Sequence, residues 1–163
     1  MKKISASHII TSGFLVVTLW SLCCSAVAQE NKTLTVQATT STQATAVVWQ
    51  RHIAAWDKRD LDAIMSDYAE NTVLILNNKI YEGRTAVRKV FERLFQIFDQ
   101  GKNKIDTPII KDRIVYITWH FSLRSNKTTF FGTDTFVIEN NAISYQTIAS
   151  PLYEKYAVAT PDM

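Results

Sequence analysis

Sulfur chemistry is nearly absent from this chain. Its two cysteines, Cys23 and Cys24, are adjacent and fall in an N-terminal stretch that reads as a removable leader. Without them there is no disulfide, no cysteine nucleophile and no thiolate metal site. Histidine is also scarce: beyond the leader only His52 and His120 remain, with no HExxH and no His-x-His pair. No zinc or calcium site is expected. Glycine is just as thin, and Gly83, Gly101 and Gly132 stand too far apart to cradle a phosphate. Flavin and nicotinamide binding have no support, and no cofactor is expected. Net charge gives no nucleic-acid footprint. The full chain carries +3, and loss of Lys2 and Lys3 with the leader brings this to +1.

The leader has a positive start at Lys2-Lys3, an apolar core from Ile9 to Leu22, and Ala26-Val27-Ala28 before Gln29. That is the pattern of a cleaved signal peptide over residues 1–28. The apolar run, broken by Thr11, Ser12 and Gly13, is too short for a good spanning helix. The mature protein is therefore expected to be periplasmic or secreted, with no membrane contact after cleavage. Residues 29–42, rich in Thr, Gln and Ser, read as a flexible lead-in. One domain is expected over 43–156, followed by a tail over 157–163.

Apolar spacing places three helices first. Trp49, His52, Ile53 and Trp56 recur at helical intervals in a helix from about Ser41 to Asp57. Asp60 caps a short second helix with a stripe of Leu61, Ile64, Met65 and Tyr68. A third, after Gly83 and capped by Thr85, carries Val87, Val90, Phe91, Leu94, Phe95 and Phe98, with Gly101 ending it. Between the second and third helices, Val73 to Leu76 reads as a short strand turned by Asn77-Asn78. Beyond Gly101 the period becomes 2. Strands are expected over 105–111 (Pro108 marking an edge or bulge), 114–124, the segment from Phe130 to Ile138 that holds Asp134, and 142–150. Tight turns between consecutive strands make an antiparallel sheet, and helices closing one face of it make an α+β domain.

Asp134 breaks that pattern. It shares a strand face with Phe130, Phe136 and Ile138, where a carboxylate must find partners or shift its pKa. His52 does the same on the first helix, and Tyr68 on the second. Asp134 and His52 are the candidate catalytic pair, provided that they come within hydrogen-bond reach directly or through one water. Trp119, Phe121 and Phe136 are candidate cavity walls, and Gln146 a candidate hydrogen-bond partner for a ligand or for Asp134. His120 alternates to the opposite face of its strand.

Several segments together resemble the SnoaL-like branch of the nuclear transport factor 2-like superfamily. They are Ala55-Trp56-Asp57 before Asp60-Leu61, Tyr68-Ala-Glu-Asn-Thr-Val73, Tyr81-Glu-Gly-Arg84, Gly132-Thr-Asp134-Thr-Phe136, and Ile143 to Ile148. The resemblance spans about Val47 to Ile148. It implies a cone-shaped α+β fold, three N-terminal helices on a curved antiparallel sheet, with a pocket between helices and concave face. It also implies a homodimer formed through the outer sheet face, where Phe131 and Val137 point. Compared with the ketosteroid isomerases of that superfamily, Asp134 takes the place of an aspartic acid kept neutral to donate a hydrogen bond. His52 takes the place of their oxyanion tyrosine, and about Ile75 that of their general base. An apolar side chain accepts no proton, so steroid isomerisation by that route is not expected. The expected function is an exported domain binding a small apolar molecule with a polar group. As an enzyme it would act without cofactor, by acid–base isomerisation, dehydration or cyclisation of a carbonyl-containing ligand. The alternative is a non-catalytic ligand-binding or dimeric assembly module.

Overall fold

The computed structural model describes residues 41–158, so the leader and nearly all of the lead-in fall outside the described residues. Helix α1 runs through residues 41–58 and buries Val48, Trp49, His52, Ala55 and Trp56 along one stripe. Helix α2, Leu61–Ser66, begins where the Asp60 carboxylate accepts a hydrogen bond from the Ala63 N–H at 3.0 Å. Strands β1 (Tyr68–Leu76) and β2 (Lys79–Glu82) form a hairpin around Asn77-Asn78. Helix α3, Gly83–Phe98, buries Val87, Val90, Phe91, Leu94, Ile97 and Phe98. Then follow β3 (Gly101–Ile105), β4 (Ile109–Lys111), β5 (Ile114–Leu123), β6 (Thr129–Glu139), β7 (Ala142–Ala149) and a short helix α4 (Leu152–Lys155).

All strands join one open, curved sheet in the order β2-β1-β7-β6-β5-β3, with β4 sharing the β5 edge with β3. Every pairing is antiparallel except β1 with β7, which is parallel and sets Leu74 beside Gln146 and Leu76 beside Ile148. Period-2 alternation sends Val115, Ile117, Trp119, Phe121 and Leu123 of β5 toward the helices, and Gly132, Asp134, Phe136 and Ile138 of β6 beside them. The helical stripes of α1 and α3 close over this face. The result is the expected α+β arrangement.

Several boundaries differ from the sequence reading, each for a local reason. Tyr68 opens β1 rather than ending α2, although its side chain still faces inward. Helix α3 starts at Gly83, not Thr85, and no side chain caps it; Gly83 has φ +81°, a turn that L side chains resist, and it swings the chain from β2 into the helix. Gly101 does not end α3. It opens β3, where a Cβ would collide with the Phe121 ring and the Ser122 carbonyl. The single strand expected over 105–111 is two, split at Asp106-Thr107-Pro108, because proline has no N–H to give the ladder. Helix α4 was not anticipated. It buries Leu152 and Tyr153, and Val158 beyond it is also buried.

Candidate functional site

Helices α1 and α3 do not fill the concave face completely. Between them and the sheet lies a cavity of about 40 Å³. Most of its lining side chains are buried; Ile53 on α1 and Asn103 and Ile105 on β3 are only half-buried, which places the mouth between α1 and the β3 edge. Trp49, Trp56, Phe91, Phe98, Trp119 and Phe136 make its walls aromatic. This is room for a water or two, or for the reactive end of a larger molecule entering through the mouth.

Asp134 sits at the deep end, 8% exposed. Trp119 donates its indole N–H to Oδ1 at 2.8 Å, and Gln146 donates its amide to Oδ2 at 2.9 Å. The Gln146 carbonyl in turn accepts a hydrogen bond from the Tyr68 hydroxyl. Strand register brings this chain together: Trp119 is two residues along β5 from Ile117, the partner of Asp134, and Gln146 on β7 faces Phe136. Burial raises the Asp134 pKa from 3.8 to about 6, against the two hydrogen bonds, which pull it down. Tyr68 and Tyr153 are raised well above the ordinary tyrosine range, first by burial and then by the charge of Asp134 (and, for Tyr68, of Asp67), so both remain hydroxyl donors.

His52, also in the cavity wall, is 4% exposed and boxed by Tyr68, Phe91 and Phe136, their ring centroids 5.4–6.1 Å away and roughly edge-on. It makes no hydrogen bond to Asp134, whose oxygens are taken by Trp119 and Gln146. Its nearest acid is Asp67, with Nδ1 3.5 Å from Oδ2. Asp67 is completely buried, and its other oxygen accepts from the Arg51 guanidinium.

Among the residues singled out in the sequence, Asp134, His52, Trp119, Phe136 and Gln146 line the cavity. Tyr68 and Phe121 do not. Tyr68 stands behind Gln146 and spends its hydroxyl there, while the Phe121 ring covers Gly101 and packs on Phe98 at 4.7 Å. Ile75, aligned with a general base, faces outward at 36% exposure; its inward neighbours are Leu74 and Leu76, so β1 brings no base to the cavity. Three polar residues were missed: Asp67, Tyr153 and Asn103. Asp67 lies beside the apolar stripe of α2, a signal of the same kind that marked Asp134, but nothing local ties it to His52. Tyr153 rides on the unanticipated α4. The Asn103 amide oxygen is buried without a hydrogen-bond partner among the described residues, and it became legible as inward only once β3 was found to start at Gly101.

The arrangement places a carboxyl group whose pKa is raised to about 6 and an imidazole on the walls of one largely aromatic space. Such a pair can hydrogen-bond a carbonyl oxygen and exchange a proton with a neighbouring atom. Among the described residues no three His, Cys, Asp or Glu side chains cluster as metal ligands.

The family model of the SnoaL-like domain matches residues 49–146, more than half of the chain, from the middle of α1 to Gln146 on β7. No curated protein matches. Among solved structures, a nuclear transport factor 2-like protein of unknown function from Mesorhizobium loti is 13% identical, with 68% of this chain and 93% of that one covered and a TM-score of 0.61. Bal32a, from a soil-derived mobile gene cassette, is 15% identical over 72% of this chain and 98% of that one, with a TM-score of 0.60. A protein named as a polyketide cyclase from Sinorhizobium meliloti is 15% identical over 63% and 93%, with a TM-score of 0.55. Identities this low speak for the fold alone, and all three agree on it. The chain belongs to the SnoaL-like domain family and has the nuclear transport factor 2-like fold.

Proposed function

We propose that this domain binds a small, largely apolar carbonyl compound in the α1–α3–sheet cavity and moves a proton on it without a cofactor. Asp134 carries the reading: it is a buried carboxyl on an apolar wall, held in place by Trp119 and Gln146, with a pKa raised to about 6. A group poised there can hold a proton against a carbonyl oxygen or release it with little cost, which is what acid–base catalysis needs. His52 is the second proton-handling group, and Trp119, Phe136 and Gln146 shape the space. The half-buried Asn103 amide at the mouth is available to a second polar group of the ligand. The reaction class is isomerisation, dehydration or cyclisation beside a carbonyl.

Deuterium exchange tests this before the substrate is known. A panel of small cyclic and acyclic ketones in heavy water, followed by proton NMR, should lose the hydrogens next to the carbonyl faster with wild-type protein. Asp134→Asn and His52→Gln should each remove most of that acceleration, by roughly 100-fold or more. Ketones that raise the unfolding temperature but exchange at the uncatalysed rate would favour the non-catalytic binding module.

The leader-like residues 1–28 support action in the periplasm or outside the cell. A homodimer through the outer sheet face has its support in an apolar row that crosses the strands. Ile114, Val137 and Tyr145 pair in register, and Ile75, Ile80 and Phe131 are exposed on the same face. Light scattering at micromolar concentration should give twice the chain mass, and Tyr145→Lys should return it to the monomer.

A further inference from the structure

We infer that Asp67 is the positioning residue of this site: it holds the His52 imidazole with Nδ1–H turned toward itself and Nε2 left as a proton acceptor for the cavity. The use of that acceptor rests on the acid–base reading above; the orientation stands on the geometry alone. His52 Nδ1 and Asp67 Oδ2 face each other across 3.5 Å, both are buried, and neither has a hydrogen-bond partner among the described residues. Two buried polar atoms so placed serve each other, since each would otherwise lose the hydrogen bond that it makes to water in the unfolded chain. A carboxylate oxygen in that position accepts a hydrogen bond, so the proton belongs on Nδ1.

Asp67 is well fixed for such a task. Its backbone N–H bonds the Ile64 carbonyl at 3.0 Å, closing α2, and its own carbonyl takes the Ile143 N–H at 2.7 Å from β7. Arg51 grips the remaining carboxylate oxygen and reaches the Asn141 carbonyl at 3.5 Å. The backbone bonds fix where the residue sits, and Arg51 holds one carboxylate oxygen so that the other faces His52. On the histidine side, edge-on contacts with Tyr68, Phe91 and Phe136 keep the ring from turning over.

This ordering divides the labour between the two walls. His52 Nε2 removes a proton from the carbon beside the ligand's carbonyl, and the C–H electron pair moves into the carbonyl. The oxygen takes up the proton that Asp134 holds, giving a neutral enol, an imidazolium and a carboxylate. Return of a proton from His52 to the same carbon, with Asp134 recovering its own, gives hydrogen exchange; return to a conjugated carbon completes an isomerisation. Asp67 touches no reacting atom in this scheme. It stabilises the transient imidazolium and keeps Nε2 aimed.

The test needs no ligand. Protein labelled with ¹⁵N-histidine, examined by long-range ¹H–¹⁵N correlation in mildly alkaline buffer, reports the tautomer of each ring. His52→Gln identifies the His52 signals, and solvent-exposed His120 serves as the internal reference. Wild-type His52 is expected as the Nδ1–H tautomer, the opposite of a free ring, and Asp67→Asn should shift it toward Nε2–H because the asparagine amide can donate. A wild-type Nε2–H tautomer overturns the inference whatever the variants do. So does a folded Asp67→Asn protein whose His52 tautomer is unchanged. If Asp67→Asn does not fold, the wild-type spectrum alone decides. Loss of ketone exchange in every protein, with the tautomer as expected, would sink the acid–base reading and leave the role of Asp67 intact.

Discussion

Replacing Asp134 by Asn is expected to flatten a pH dependence of stability that the wild-type protein carries between about pH 4 and pH 6. Its folded-state pKa of about 6 lies above the unfolded value of 3.8, so the folded protein holds this proton more tightly than the unfolded chain does. Below the lower value the carboxyl is neutral in both states, and its contribution to stability is complete. As pH rises through the folded pKa the group ionises inside the protein, and the cost of keeping a charge there is felt in full. A gap of this size corresponds to roughly 3 kcal/mol. Urea unfolding across pH should therefore show wild-type stability falling relative to Asn by about that amount, with the loss complete above pH 6. The comparison cancels every other titrating carboxyl. A difference between the two proteins that does not vary with pH would mean that Asp134 ionises as it does in water, and the proposed chemistry would lose its acid.

Gly132→Ala should be among the most damaging single-methyl additions to the sheet. A Cβ at this position points at the six-membered ring of Trp119, which lies directly over the glycine. Neither strand can retreat, because β5 and β6 are paired without interruption from Ile114 to Ser122. The indole must move, and with it the N–H that holds Asp134 Oδ1. Overpacking of this kind costs about 1–3 kcal/mol, and the abandoned carboxylate oxygen adds to it. The outward-facing Thr133→Ala, one residue away, is the control and should cost far less. Because the damage passes through Trp119, Gly132→Ala and Trp119→Phe should be clearly less than additive in a double-mutant cycle. Strict additivity would show that the glycine and the indole act independently.

The parts of the domain that were legible in the sequence are those where one side chain's environment is set by its own strand or helix. Alternation along β5 and β6 put Trp119, Asp134 and Phe136 on one face, and helical spacing put His52 on the buried stripe of α1. The turn at Asn77-Asn78 and the cap at Asp60 are local chemistry and were equally readable. Relations between distant segments were not. Nothing near His52 indicates that its partner is Asp67 rather than Asp134, since that pairing depends on how α1 crosses the end of α2. Gly101 read as the end of a helix and Gly132 had no structural role assigned, yet at both an aromatic ring from β5 lies where a Cβ would be. Pro108 was rightly a sign of irregularity, but its effect, two short strands sharing one edge, depends on β5 being there to receive both. Helix α4 is too short for periodicity to announce it, and no local pattern marks Tyr153 as a cavity residue.

The parallel seam between β1 and β7 has a consequence for how the chain matures. The Thr72 hydroxyl finds the Ser144 carbonyl 72 residues later, and Leu74 and Leu76 have no lateral neighbour on that side until β7 arrives. A nascent chain halted anywhere before residue 142 would display the inner edge of β1 as an open row of unmatched amides. Closure of this kind is slow to nucleate and vulnerable to pairing with foreign strands in the interval. Shielding by a chaperone would matter most during that wait, and C-terminal truncations that remove β7 should yield aggregates rather than a smaller folded core.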